Sequence, residues 1–150
     1  MANFALKIVP ELCQTGKIRF YKLVIDDKCA YDEFCAQVDV DLTTACDMNK
    51  IRTYMEWIAT TNVFLPEKKY NKILDGKHVI ANEFKHGKLR LYVKRLDPNI
   101  MILFGGYKAG QKMDVNKLKR LLKMLPPIEE LIKTVQLWQE KIYWQAQNIG

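Results

Sequence analysis

Lys85, Lys88, Arg90, Tyr92 and Lys94 fall within ten consecutive residues, whose other members are His86, Gly87, Leu89, Leu91 and Val93. Read as a strand, this run puts Lys88, Arg90, Tyr92 and Lys94 on one face and Leu89, Leu91 and Val93 on the other. The residue types suit a phosphate. Arginine offers a planar fork, lysine a point charge, and tyrosine both a stacking surface and an ionisable hydroxyl. Neighbouring cations disfavour another ammonium and favour a phenolate, so Lys88 and Tyr92 are expected to titrate nearer neutrality than their reference values of about 10. A solvated outer strand face would carry the same pattern.

A second cluster follows. "GGYKAGQK", residues 105–112, leaves an apolar strand and precedes a helix, with Gly105 and Gly110 at the spacing of a phosphate-binding loop. Gln111 stands where such a loop needs lysine, and Lys112 where it needs a serine or threonine for magnesium. Nucleotide hydrolysis is thereby disfavoured, and the stretch reads as a strand exit that delivers Tyr107 and Lys108 beside the cationic strand. Trp138, Tyr143 and Trp144 in "LWQEKIYW" could stack on bases, although aromatic stripes on helices more often serve a core or a protein interface.

Other chemistry finds little support. Cys13, Cys29, Cys35 and Cys46 match no zinc spacing and read as reduced thiols. His78 and His86 have no third ligand beside them, so no metal is expected. No Ser/His/Asp or Cys/His nucleophile can be defended.

The elements that must position these groups follow from periodicity. "KIRFYKLVI", residues 17–25, predicts a strand, and Asp26 or Asp27 could cap a helix with Tyr31, Phe34, Cys35 and Val38 on one face. After a threonine-rich connection, Asp47 could cap a second helix with Ile51, Tyr54, Met55 and Ile58 inward. From Val79 the period becomes two, with Ile80, Phe84, Leu89, Leu91 and Val93 inward, a turn at His86-Gly87-Lys88 and another around Pro98. "IMILF", residues 100–104, has no polar alternation and predicts a central strand covered on both faces. "MDVNKLKRLLKMLPP" predicts a helix with Val115, Leu118, Leu121, Leu122 and Leu125 inward, stopping at Pro126. A last helix should start near Pro127, with Ile128, Leu131, Ile132, Val135, Trp138 and Ile142 on its stripe. Leu137 and Trp144 fall off that stripe, which suggests contact with another chain as well as with its own core.

A chain of 150 residues can bury one substantial core. Its N-terminal stretch has no basic lead-in to a long apolar run, and "IMILF" is too short to span a bilayer, so a cytoplasmic protein is expected. The net charge of +7 is uneven: residues 68–123 hold fifteen Lys and Arg against four acids. Such polarisation favours a polyanionic partner.

Taken together, "EFKHGKLRLYVKRLDPNIMILFGGYKAGQ" (residues 83–111) resembles the latter half of the RelE/ParE toxin superfamily, whose members act in toxin–antitoxin pairs. The shared pattern is a strand with an arginine after a basic segment, a hairpin turn at Asp, a very apolar strand, and a Gly followed by basic residues. The resemblance extends in element order over about residues 17–123. It implies an α+β domain over residues 1–125: a small, twisted, mostly antiparallel sheet with two helices from the N-terminal half on one face. Residues 126–150 would add a helical extension, packed on the same domain or on a partner.

For function, the resemblance implies a metal-independent endoribonuclease that cleaves messenger RNA on the ribosome by 2′-hydroxyl attack, without a cofactor. Tyr92, Lys85 or Lys88 would remove the proton, and Arg90 and Lys108 would stabilise charge on the phosphate. Lys94, Arg95, Tyr107 and Lys112 would hold RNA. Partners would be RNA, the ribosome and an acidic antitoxin, with self-association through the last helix. The alternative is a ParE-like or non-catalytic binding protein whose basic groove holds an acidic partner.

Overall fold

The computed structural model describes residues 2–12, 16–66 and 68–135. Six strands form a single sheet: β1 (Phe4–Ile8), β2 (Phe20–Ile25), β3 (Tyr70–Asp75), β4 (His78–His86), β5 (Leu89–Leu96) and β6 (Asn99–Tyr107). Their spatial order is β1-β2-β6-β5-β4-β3, with β2 and β6 parallel and every other pair antiparallel. The fold is α+β, as expected. Helices α1 (Ala30–Val38) and α2 (Leu42–Thr61) lie between β2 and β3 in the chain, and α3 (Gln111–Met124) follows β6 through a short 3₁₀ turn at Lys108–Gly110. Residues 128–135, the last described, are also helical and are termed α4.

Alternation along the strands builds two cores. On one face Phe20, Phe84, Leu89, Leu91, Val93, Ile100 and Ile102 meet the stripes of α1 (Tyr31, Phe34, Val38) and α2 (Met48, Ile51, Tyr54, Met55, Ile58). On the other, Leu23, Tyr92, Leu96, Met101, Leu103 and Phe104 meet Leu118 of α3 and Leu131 and Val135 of α4. β6 lies between β2 and β5 and is apolar on both faces, which explains its lack of polar alternation. A register shift opposite Tyr92 and Val93 leaves Leu103 as an extra residue, so that Leu103 and Phe104 both join the second core. Each such side chain taken fully out of water contributes roughly 1.5–3 kcal/mol.

The faces of α1, α2 and α3 are as periodicity predicts, but several boundaries differ. Asp26 and Asp27 do not cap a helix: both have positive φ, 49° and 65°, and form the tight turn in which Ile25 and Lys28 exchange backbone hydrogen bonds. Aspartate tolerates this left-handed backbone better than most residues do. The second helix starts five residues before Asp47, where Asp41 accepts a hydrogen bond from Thr43 N at 2.8 Å. The threonine-rich connection is thus its first turn, and Asp47 is left free for another purpose. Neither β1 nor β3 is anticipated, because five residues are too few to establish a period and Asn71 and Lys72 interrupt the apolar signal of β3.

The larger correction concerns β5. Its cationic face stays open at Lys88 but is closed at Tyr92, which α3 covers. Tyr92 and Leu96 join the apolar surface that β6 presents on this side, and the stripe of α3 needs a place to be buried. α4 packs on the same face, where Thr134 Oγ1 accepts a hydrogen bond from Leu6 N at 2.9 Å. Its described residues therefore contact their own domain, although Ile128 and Ile132 stay exposed. Leu137, Trp138, Ile142, Tyr143 and Trp144 lie outside the described residues, as does Cys13.

Candidate phosphate-binding site

Where β4 ends and β3 and β5 begin, four cations surround a shallow pocket of about 420 Å³: Lys68, Lys69, Lys85 and Arg90, together with Tyr54, His86 and Gly87. Local structure brings them there. Lys85 and Arg90 are cross-strand partners in the β4–β5 hairpin. Lys68 and Lys69 form the turn into β3, where Lys85 N donates to the Lys69 carbonyl at 3.0 Å. Tyr54 comes from the buried stripe of α2, with its hydroxyl 2.9 Å from His86 Nδ1. No carboxylate lines the pocket among the described residues. Cations gathered in this way repel one another until an anion lies between them.

Arg90 is 8% exposed. Its Nη1 donates to the carbonyls of Gly87 (3.0 Å) and Leu89 (2.7 Å), which fixes the guanidinium against the hairpin, while Nε is buried without a partner. Asp47 reaches the hairpin tip from α2. Its Oδ2 accepts from Lys88 N at 3.2 Å, and its Oδ1 lies 3.9 Å from His86 Nε2. The approach depends on Gly87, whose φ of +55° suits glycine and whose absent Cβ would occupy the place of the Asp47 carboxylate.

The remaining residues expected to act together are dispersed. Lys88 and Lys108 lie at the same end of the sheet, Lys108 N donating to the Lys88 carbonyl at 2.8 Å, and with Tyr107 and Ala109 they line a neighbouring hollow of about 610 Å³. Tyr107 is half-buried, packed edge-on to Phe34, with its hydroxyl accepting from Gln37 at 3.3 Å. Lys112 lies farther along, on a surface shared with Lys108 and Lys119. Lys94 and Arg95 are at the opposite end of β5. Lys94 Nζ donates to the Ile80 carbonyl at 3.1 Å, and Arg95 lies over Phe64 and pairs with Asp97 at 3.2 Å.

Tyr92 differs most from expectation. It is fully buried beneath α3, its ring centroid 4.9 Å from that of Phe104. Burial raises its phenol, the Asp114 and Glu83 carboxylates push it the same way, and Arg90 opposes them only in part. The expected drift toward neutrality is reversed. Glu83, 1% exposed and opposite Tyr92, accepts from Gln111 Nε2 at 3.0 and 3.1 Å and from Asn71 at 3.3 Å, holding the first turn of α3 against the sheet. Burial also raises the Asp114 carboxyl, with Lys117 opposing.

No known family matches this chain, and no curated protein does. Among the described residues no group of three or more His, Cys, Asp or Glu could hold a metal ion, and no helix is long and apolar enough to cross a membrane. Lys68, Lys69, Tyr54 and His86 are the site residues that sequence reasoning missed. Only the paired lysines of "EKKY" offered a signal, since Tyr54 reads as core and His86 as a turn residue.

Proposed function

We propose that this chain is a RelE-like toxin that binds messenger RNA at the cationic pocket and cleaves it without a metal. The observation that carries this reading is the convergence of Lys68, Lys69, Lys85 and Arg90 on one pocket with no acidic lining among the described residues. A phosphodiester backbone is the polyanion such an arrangement suits, with lysines as point charges and Arg90 as the fixed donor for oxygens on which charge develops. Lys88 and Lys108 extend the positive surface at the same end of the sheet. The expected layout of a strand, two helices on one face and an arginine-bearing hairpin before a very apolar strand is consistent with the observed elements.

In this reading a ribose 2′-hydroxyl attacks the adjacent phosphorus, leaving a 2′,3′-cyclic phosphate and a free 5′-hydroxyl. The test is primer extension on ribosomes programmed with messenger RNA, in the presence of a chelator. Discrete cleavage ending in a cyclic phosphate, reduced by Lys85→Ala, is the expected result. Intact RNA at every protein concentration would refute it.

A second reading is favoured by a separate groove of about 520 Å³, floored by Leu23, Ile25, Leu103, Phe104, Leu121 and Met124 and edged by Lys28, Lys117 and Arg120 against Asp26 and Glu33. An acidic amphipathic helix would suit it, as an antitoxin segment or as the partner of a non-catalytic binding protein. Binding of such a peptide, lost in Leu121→Asp, together with intact RNA in the cleavage assay, would favour that alternative.

A further inference from the structure

We infer that Tyr54, His86 and Asp47 form a proton relay serving RNA cleavage in the cationic pocket, an inference that rests on the ribonuclease reading above. Tyr54 and His86 both line the pocket, with the hydroxyl 2.9 Å from Nδ1 and the rings edge-to-face at 5.8 Å. Asp47 precedes Tyr54 by two helical turns and so lies on the same side of α2. Its carboxylate is within ion-pair distance of Nε2, 3.9 Å, and is held there by the Lys88 backbone N–H and by the room Gly87 leaves.

This arrangement assigns the protons. A carboxylate facing Nε2 favours the tautomer with hydrogen on that nitrogen, leaving Nδ1 to accept the Tyr54 hydroxyl proton. Tyr54 is then the group that meets the substrate. Lys69 Nζ lies over the Tyr54 ring, 5.1 Å from its centroid, and holds the ring in place beside His86. Among the described residues, the charged and titratable groups around His86 are Tyr54 and Asp47 from α2, Lys68 and Lys69 from the turn before β3, Lys85 from β4 and Arg90 from β5. Of these described groups, Asp47 is the one that stabilises an imidazolium.

The step balances without a co-reactant. The 2′-oxygen forms a bond to phosphorus as its proton passes to Tyr54 Oη, and the former phenolic proton passes to His86 Nδ1. The bond from phosphorus to the 5′-oxygen breaks, and that oxygen takes a proton from water. His86 returns its extra proton to solvent.

The test is ribosome-programmed cleavage by the full chain over about pH 5–9, a range that spans the histidine reference value. Wild type is compared with Tyr54→Phe and His86→Gln, and affinity is measured on RNA with a 2′-deoxy residue at the cleavage site. Each variant should cleave about 100-fold or more slowly, in line with general acid–base contributions. Each should bind the deoxy RNA within about twofold of wild type, since only the proton path is removed. The wild-type rate should rise with pH to a plateau, and His86→Gln should lose that inflection. Wild-type rates and pH profile in Tyr54→Phe would overturn the relay while leaving the ribonuclease reading standing. Absence of cleavage by the wild type would overturn both. If Tyr54→Phe loses its circular dichroism signature of folding, His86→Gln, at a half-buried position, decides on the same criteria.

Discussion

Tyr92→Phe separates an alternating strand pattern from the folded environment. Tyr92 Oη is buried without a hydrogen-bond partner, and its ring packs on Phe104 in a core closed by α3. A buried hydroxyl with no partner costs about 1–3 kcal/mol of lost hydration. Removing it leaves a void smaller than a methyl group, which returns up to about 1 kcal/mol of that gain. The variant should therefore be more stable at pH 7 by about 1 kcal/mol, or about 2–4 °C in Tm for a chain of this size.

The alkaline limb gives a second reading of the same environment. Because the folded phenol is raised above its ordinary value of 10.0, its contribution is fully present below about pH 10 and is lost as pH rises, when the unfolded chain ionises first. Between about pH 10 and 11 wild type should lose about 1 kcal/mol more than the variant. Urea unfolding followed by circular dichroism at both ends of that range measures both effects, and the cleavage assay should show an unchanged rate. Destabilisation by more than about 1 kcal/mol at pH 7 would mean that the hydroxyl has a partner, and the burial argument would fail. A large loss of cleavage would restore Tyr92 as a catalytic group.

Replacing Lys68 and Lys69 with alanine should weaken binding to single-stranded RNA and lower its salt slope by about 1.4, because each phosphate that a lysine neutralises adds about 0.7; Lys94→Ala, whose ammonium is bound to the Ile80 carbonyl, should leave the slope unchanged. Fluorescence anisotropy across a salt series checks both. Gly87→Ala should cost about 1–3 kcal/mol in urea unfolding, because the new Cβ meets Asp47 at a positive φ; an unperturbed midpoint would show that the hairpin tip does not depend on that approach.

Much of the local structure was legible from residue order. The stripes of α1, α2 and α3 follow a period of 3.6, the β4–β5 and β5–β6 turns occur at Gly87 and Pro98, and the unbroken apolar run of β6 signals a strand covered twice. The site was only partly legible. Lys85 and Arg90 meet because they are partners in a local hairpin, so their association follows from alternation and one turn.

The other members come from distant parts of the chain. Tyr54 and His86 are 32 positions apart, Asp47 and Lys88 are 41, and Glu83 and Gln111 are 28. Periodicity marks which side of an element is apolar without saying which element will cover it. Residue order set most of the elements, their apolar sides and the concentration of positive charge in residues 68–123. Long-range packing settled that α3 covers Tyr92 while α2 brings Tyr54 and Asp47 to the hairpin. Packing of α2 and α3 on opposite faces of one sheet thus buried one tyrosine and placed another among the cations, because each helix stripe had to find a matching apolar surface.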